Sequence, residues 1–129
     1  MLCRIYVSHQ ETWCSMNIIL VAIGGFFGSI LRYHISIKAN KHLIGTWIAN
    51  MLGSALLGFL YRLHFTNTLS DWSWMLLGVG FCGAFTTFST FGNETLLLVL
   101  NKKYKHAITY VISSLVVSFL LVSVIFIAV

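Results

Sequence analysis

Four apolar stretches, each long enough to cross a bilayer as a helix, take up nearly the whole chain. A spanning helix needs roughly 20 mostly apolar residues. The stretches run over residues 17–37, 45–63, 72–100 and 107–129. The connectors between them, around HISIKANKHL, HFTNTLSD and NKKYKH, are short and leave no room for a soluble domain. Only 9% of the 129 residues are charged and 58% are hydrophobic, against about 25% charged in a soluble domain. So few charges could not cover a water-exposed surface. The expected fold is an all-α, multi-pass protein of the cell membrane with four transmembrane helices and the lipid bilayer as its solvent. Proline is absent, so any interruption of a helix must come from Gly, Ser or Thr.

Residues 1–16 differ from the rest. MLCRIYVSHQETWCS is mixed in character, lacks helical periodicity and lacks the parts of a signal peptide. Met16 stands directly before the first span, so this leader is expected to be dispensable, with 17–129 forming a single four-helix domain. Cys3, Cys14 and Cys82 show no disulfide or zinc spacing. His9, His34, His42, His64 and His106 lie near span ends or in connectors, with no i, i+4 pair to hold a metal. Trp13, Trp47, Trp72, Trp74 and Tyr104 also cluster near span ends, where amphipathic rings settle. The net charge of +5 comes from basic residues flanking apolar runs. That placement fits topology and lipid headgroups rather than nucleic acid.

Burying apolar surface cannot drive helix association in lipid. Close backbone approach and interhelical hydrogen bonds must do it. Gly24, Gly25 and Gly28 in the first span, Gly53, Ser54, Ala55 and Gly58 in the second, and Gly78, Gly80, Gly83 and Ala84 in the third supply small residues at packing intervals. Polar groups at membrane depth need a further reason. Asn50 sits near the middle of the second span, with Thr46 and Ser54 four residues to either side on the same face. Tyr110, Ser114 and Ser118 repeat this interval in the fourth span. Each stripe alone reads as interhelical glue. Two stripes facing one crevice would make a polar track.

The third span carries the densest signal. Thr86 to Phe91 (TTFSTF) holds three Thr and one Ser, soon after Gly83. Thr and Gly weaken a helix, and unwound backbone at membrane depth survives only where protein or a cavity satisfies it. Its freed carbonyls suit a hard cation, whereas its hydroxyls would donate to an anion. Phe88 and Phe91 share a face if the helix resumes there. Their positive ring edges, with amide and hydroxyl donors, can meet a small anion without trapping it. Aromatic packing is the simpler use of two phenylalanines. Arg32 and Glu94 are the ionisable residues nearest the span interiors and read as structural partners. No acid/base pair, nucleophile triad or phosphate loop is present, so no enzyme is expected.

GGFFGSILRY (24–33), GTWIANMLGSALLG (45–58) and GFCGAFTTFSTFGNE (80–94) together resemble the signature segments of the Fluc fluoride channels, often called CrcB. The resemblance keeps their order and spacing and spans roughly Met16 to Val129. It implies a four-helix subunit with a broken third helix. Two subunits would form an antiparallel (inverted) dimer with two pores that lets fluoride leave the cytoplasm down its gradient. It also implies a structural sodium ion at the dimer centre, held here by the backbone carbonyls of Gly83 and Thr86. Phe88 and Phe91 match the pore-lining phenylalanines, Asn50 the track asparagine, and Arg32 the basic residue closing the first motif. Tyr110, Ser114 and Ser118 look similar to the fourth-span track. Gly92 departs from the hydroxyl residue expected after the second Phe.

A chain that dimerises with an inverted copy of itself should carry balanced Lys and Arg on its two sides. Here Arg32, Lys38, Lys41, Lys102, Lys103 and Lys105 fall on one side and Arg4 and Arg62 on the other. This bias favours both termini outside and a partner that is an oppositely oriented homologue. The alternative partner is the chain itself. Two other functions compete: a small proton-coupled exporter, which needs a carboxylate in its first span that is absent here, and a non-transporting assembly subunit, which needs no polar, aromatic break.

Overall fold

The computed structural model describes the backbone of residues 2–39 and 42–128, and side chains from Trp13 onward except that of His42. Lys41 lies outside the described residues, as do the side chains of Cys3, Arg4 and His9. The elements are α1 (Leu2–Lys38), α2 (His42–Phe65), α3 (Asp71–Ser73), a π-helical segment (Trp74–Cys82), α4 (Gly83–Phe85), α5 (Phe88–Leu100) and α6 (Tyr104–Ala128). Four stretches are long and apolar enough to cross a membrane: Trp13–Lys38, Leu43–Phe65, Asp71–Leu100 and Tyr104–Ala128.

Two boundaries differ from the sequence reading. The leader lacks apolar periodicity, yet its backbone is helical from Leu2 and continues into α1. Periodicity reports a face buried in protein, and a helix end need not bury one. At the other end, Tyr104, Lys105 and His106 belong to α6 rather than to a connector. The turn before α6 is therefore only Asn101–Lys103. Lys102 takes a left-handed φ of 58°, Lys102 N–H donates to the Val99 carbonyl and Lys103 N–H to that of Leu98, each at 2.9 Å. This is a Schellman close. Asn67 (φ 54°) ends α2 in the same way, with bonds to His64 and Leu63.

Several of the small residues pack as expected, whereas Gly83 has nothing within 4 Å of where a Cβ would stand. α1 lies chiefly along the π-helical segment, and α2 along α6. A Cβ on Gly24 would fall on the Leu76 carbonyl oxygen, and one on Gly28 on that of Phe81. One on Gly80 would come within 2.6 Å of the Val21 carbonyl. These two backbones touch as only glycine allows. The nine-residue π-helix itself has no signature in the sequence; such winding is usually a single turn. The buried centre includes Ala49, Met51, Cys82 and Phe85, with Phe85 stacked on Phe81 at 5.6 Å.

Between α4 and α5 the backbone extends for two residues. Thr86 has φ −82° and ψ 155°, and Thr87 φ −148° and ψ 122°. Gly83, Ala84 and Phe85 stay helical, so the irregular stretch is shorter than TTFSTF suggests. Thr87 is the N-cap of α5, its Oγ1 accepting from Thr90 N–H at 3.3 Å. The Thr86 hydroxyl donates to the Cys82 carbonyl at 2.9 Å, and its methyl sits where a Cβ on Gly53 would be.

Candidate functional site

Asn50 reaches from α2 into this extended pair. Its Nδ2 donates to the Thr87 carbonyl at 3.2 Å, and its Oδ1 accepts from Thr87 N–H at 2.8 Å. The side-chain amide thus supplies the bond that a helix would have given the Thr87 N–H, and adds a second one to its carbonyl, which as the N-cap oxygen already accepts the first bond of α5. A consequence follows for Gly83. Thr87 N–H is the donor that would close a helical turn on the Gly83 carbonyl, and it is turned to Asn50 instead.

One helical turn from Asn50, the Thr46 hydroxyl donates to Glu94 Oε1 at 2.9 Å. The Tyr110 hydroxyl donates to Glu94 Oε2 at 2.7 Å. Glu94 is 7% exposed, and α2, α5 and α6 meet on its carboxylate. The sequence placed Thr46 and Tyr110 on two facing stripes but gave no sign that both would point at Glu94. The pairs are separated by 48 and 16 residues, and only tertiary packing joins them.

Four of the six stripe residues face one groove, while Thr46 and Tyr110 do not line it. A cleft of about 270 Å³ is lined by Asn50, Ser54, Ser114 and Ser118, with Phe88 and Phe91 and the extended Thr86–Thr87 pair. The Ser118 hydroxyl lies 3.8 Å from Met51 Sδ. Phe88 and Phe91 do share a face, with ring centroids 6.2 Å apart, and Phe91 lies 5.1 Å from the Tyr110 ring. Phe88 is 85% exposed. A second cleft of about 150 Å³ is lined by Arg32, Tyr33, Ser36, Thr46, Thr87 and Thr90. Thr87 belongs to both linings. It was missed as a site residue because its contribution is backbone, and only its place after Thr86 in an apolar helix pointed to it.

Of the expected cation ligands, Gly83 is exposed, with open space where a Cβ would stand. Thr86 has left helical geometry. Among the described residues no three His, Cys, Asp or Glu side chains come together.

The chain resembles known proteins over most of its length. The family described as "CrcB-like protein, Camphor Resistance (CrcB)" matches residues 19–126. The Fluoride-specific ion channel FluC of Shewanella frigidimarina is 43% identical over 101 residues, covering 74% of this chain and 82% of that one. That of Oceanobacillus iheyensis is 42% identical over 103 residues, covering 77% and 80%. That of Shewanella oneidensis is 47% identical over 88 residues, covering 64% and 71%.

Proposed function

This chain belongs to the CrcB-like family, and on that premise we propose how its clefts carry fluoride. It is a multi-pass membrane protein and a fluoride channel, not an enzyme. The observation that carries the pathway is the Asn50–Thr87 pairing, set between two clefts that share Thr87.

Fluoride holds its water tightly, so a pore must offer hydrogen-bond donors and positive ring edges in place of hydration. The larger cleft supplies them: Ser114 and Ser118 from α6, Asn50 from α2, and the rings of Phe88 and Phe91. The anion then passes the Thr87 backbone toward Thr46 and Tyr110. Both hydroxyls already donate to Glu94. A hydroxyl has one proton to give, so neither can serve the anion until it turns away from the carboxylate. Glu94 thereby holds the donors in place at rest and competes for them during passage. Arg32 lines the far cleft and draws the anion there by its charge.

The extended pair is read as the break of the third helix, and its exposed side as the meeting face of an inverted dimer. Phe88, a large apolar ring left open by one chain, is suited to the second subunit's side of the groove. The Gly83 and Thr86 carbonyls fit a structural sodium ion. One has lost its helical donor to Asn50 and the other lies in extended backbone. Two carbonyls are few for a hard cation, but two chains would bring four. The ion would supply fixed positive charge at the centre. The second chain is this chain inverted or an oppositely oriented homologue, and the Lys and Arg bias favours the homologue.

Fluoride efflux from proteoliposomes tests the reading. Rapid efflux from the chain alone supports a self-dimer, and efflux only with a co-expressed homologue supports the paired form. No efflux in either case sinks the channel reading.

A further inference from the structure

We propose that the corner between α5 and α6 binds the headgroup of an anionic phospholipid. This needs only the membrane placement of the chain; Tyr110 of the proposed anion path also lines this corner, and the test uses lysines that do not belong to that path. A groove of about 550 Å³ opens there, lined by Lys103, Lys105, His106, Thr109 and Tyr110 together with Leu43 and Leu98. Cationic and apolar side chains on one groove suit a ligand that is an anion at one end and a hydrocarbon at the other.

The positive charge of this corner is not offset among the described residues. Lys103 precedes α6, and Lys105 and His106 lie in its first turn, which holds no acidic residue. This is the positive end of a 25-residue helix dipole, where cations are disfavoured and anions stabilised. Lys102 adds a further cation from the left-handed turn. Among the described residues no carboxylate pairs with any of the three lysines; the ion pair found, His64 with Asp71 at 3.9 Å, joins α2 to α3 at the opposite ends of the spans. An external anion relieves this.

A lipid fits better than a free phosphate for two reasons. The groove follows α6 from Lys105 to Ser113, about 12 Å of helix, so it runs from the span end toward the membrane interior, where a free anion gains nothing. The corner also lies on the side that carries Arg32 and Lys38, the side expected to face the cytoplasm and its anionic leaflet.

The test is native mass spectrometry of the full chain from micelles of phosphatidylglycerol and phosphatidylcholine in equal amounts. The wild type should retain phosphatidylglycerol preferentially. K103Q/K105Q should lose that preference by roughly tenfold, while K38Q, a lysine on the same side, keeps it. If the double variant is not recovered folded, K105Q alone carries the test with a smaller loss. Equal retention of both lipids by the wild type overturns the proposal, as does an unchanged preference in the double variant or the same loss in K38Q. Displacement of the lipid by excess inorganic phosphate assigns the corner to a free anion. A changed dimer mass without a changed lipid preference assigns it to a second copy. Either of these also overturns the proposal.

Discussion

Asn50 replaces the helix for the Thr87 N–H: one side-chain amide accepts from it at 2.8 Å and donates to the Thr87 carbonyl at 3.2 Å. Membrane helices rarely expose backbone groups because nothing in lipid satisfies them. Here a single residue, 37 positions earlier in the chain, makes the exposure tolerable. The same pairing holds the extended backbone where two clefts meet.

Asn50→Leu therefore removes both bonds without changing size much. The stranded Thr87 N–H should cost about 1–3 kcal/mol, seen as a lower unfolding temperature in detergent, and fluoride efflux should fall steeply. Asn50→Asp keeps the acceptor but places a negative charge beside the path. It should fold better than Asn50→Leu and still conduct poorly. Efflux near wild type in Asn50→Asp would remove Asn50 from the pathway.

The Glu94 cluster makes a prediction about coupling. Tyr110→Phe removes the donor to Oε2 while keeping the ring against Phe91. A hydrogen bond to a charged group is worth about 1.5–3 kcal/mol. Glu94→Leu should cost stability too, since it strands both hydroxyls. The double variant should be less destabilised than the sum, by about 1 kcal/mol or more. Additive losses in denaturant titrations would mean that the two side chains do not act as a pair.

Much of this site was readable because a polar residue in an apolar helix has nowhere to hide. Asn50, its four-residue neighbours and the TTFST run stood out for that reason, and Asn50, Ser54, Ser114 and Ser118 do line one groove. What could not be read was who bonds whom. Thr46 and Tyr110 looked like equivalent rungs of two ladders, yet both turn to Glu94. The Thr86 and Thr87 hydroxyls, candidates for ion contact by type, are spent on Cys82 and Thr90. The π-helical winding escaped for another reason: it changes hydrogen-bond partners without changing which residues are apolar.

Phe88 offers a separation of folding from function. At 85% exposure it contributes little to the packing of its own chain. Phe88→Ile should leave the unfolding temperature within a degree or two of wild type for the isolated subunit, since exposed sites rarely matter by more than about 0.5 kcal/mol. Fluoride efflux should nevertheless drop strongly, because the branched aliphatic has no positive edge to offer. Wild-type efflux would take Phe88 out of the path.

Glycine positions divide sharply by what surrounds them. Gly24→Ala and Gly28→Ala each drive a methyl into a backbone carbonyl of the third span, which cannot yield as a flexible side chain does. Both should lower the yield of folded protein and separate α1 from the π-helical segment. Gly92→Ala meets nothing within 4 Å and should be neutral or slightly stabilising, since Ala is about 1 kcal/mol the better helix former. Comparable damage at Gly92 would show that this face is covered by something outside the chain.

The leader gives the final prediction. Residues 2–15 are helical in their described backbone, while close backbone approaches of α1 to the third span are found at Val21, Gly24 and Gly28. The family match likewise begins at residue 19. Before that, Trp13 meets Trp72 edge-on at 6.2 Å, an aromatic contact worth about 0.5–1.5 kcal/mol. A chain starting at Met16 loses that contact but none of the residues that line either cleft. It should insert, conduct fluoride at the wild-type rate in proteoliposomes and unfold a few degrees earlier. Loss of efflux, with the shortened chain still folded, would show that the leader acts on the pore and is not a removable extension of α1.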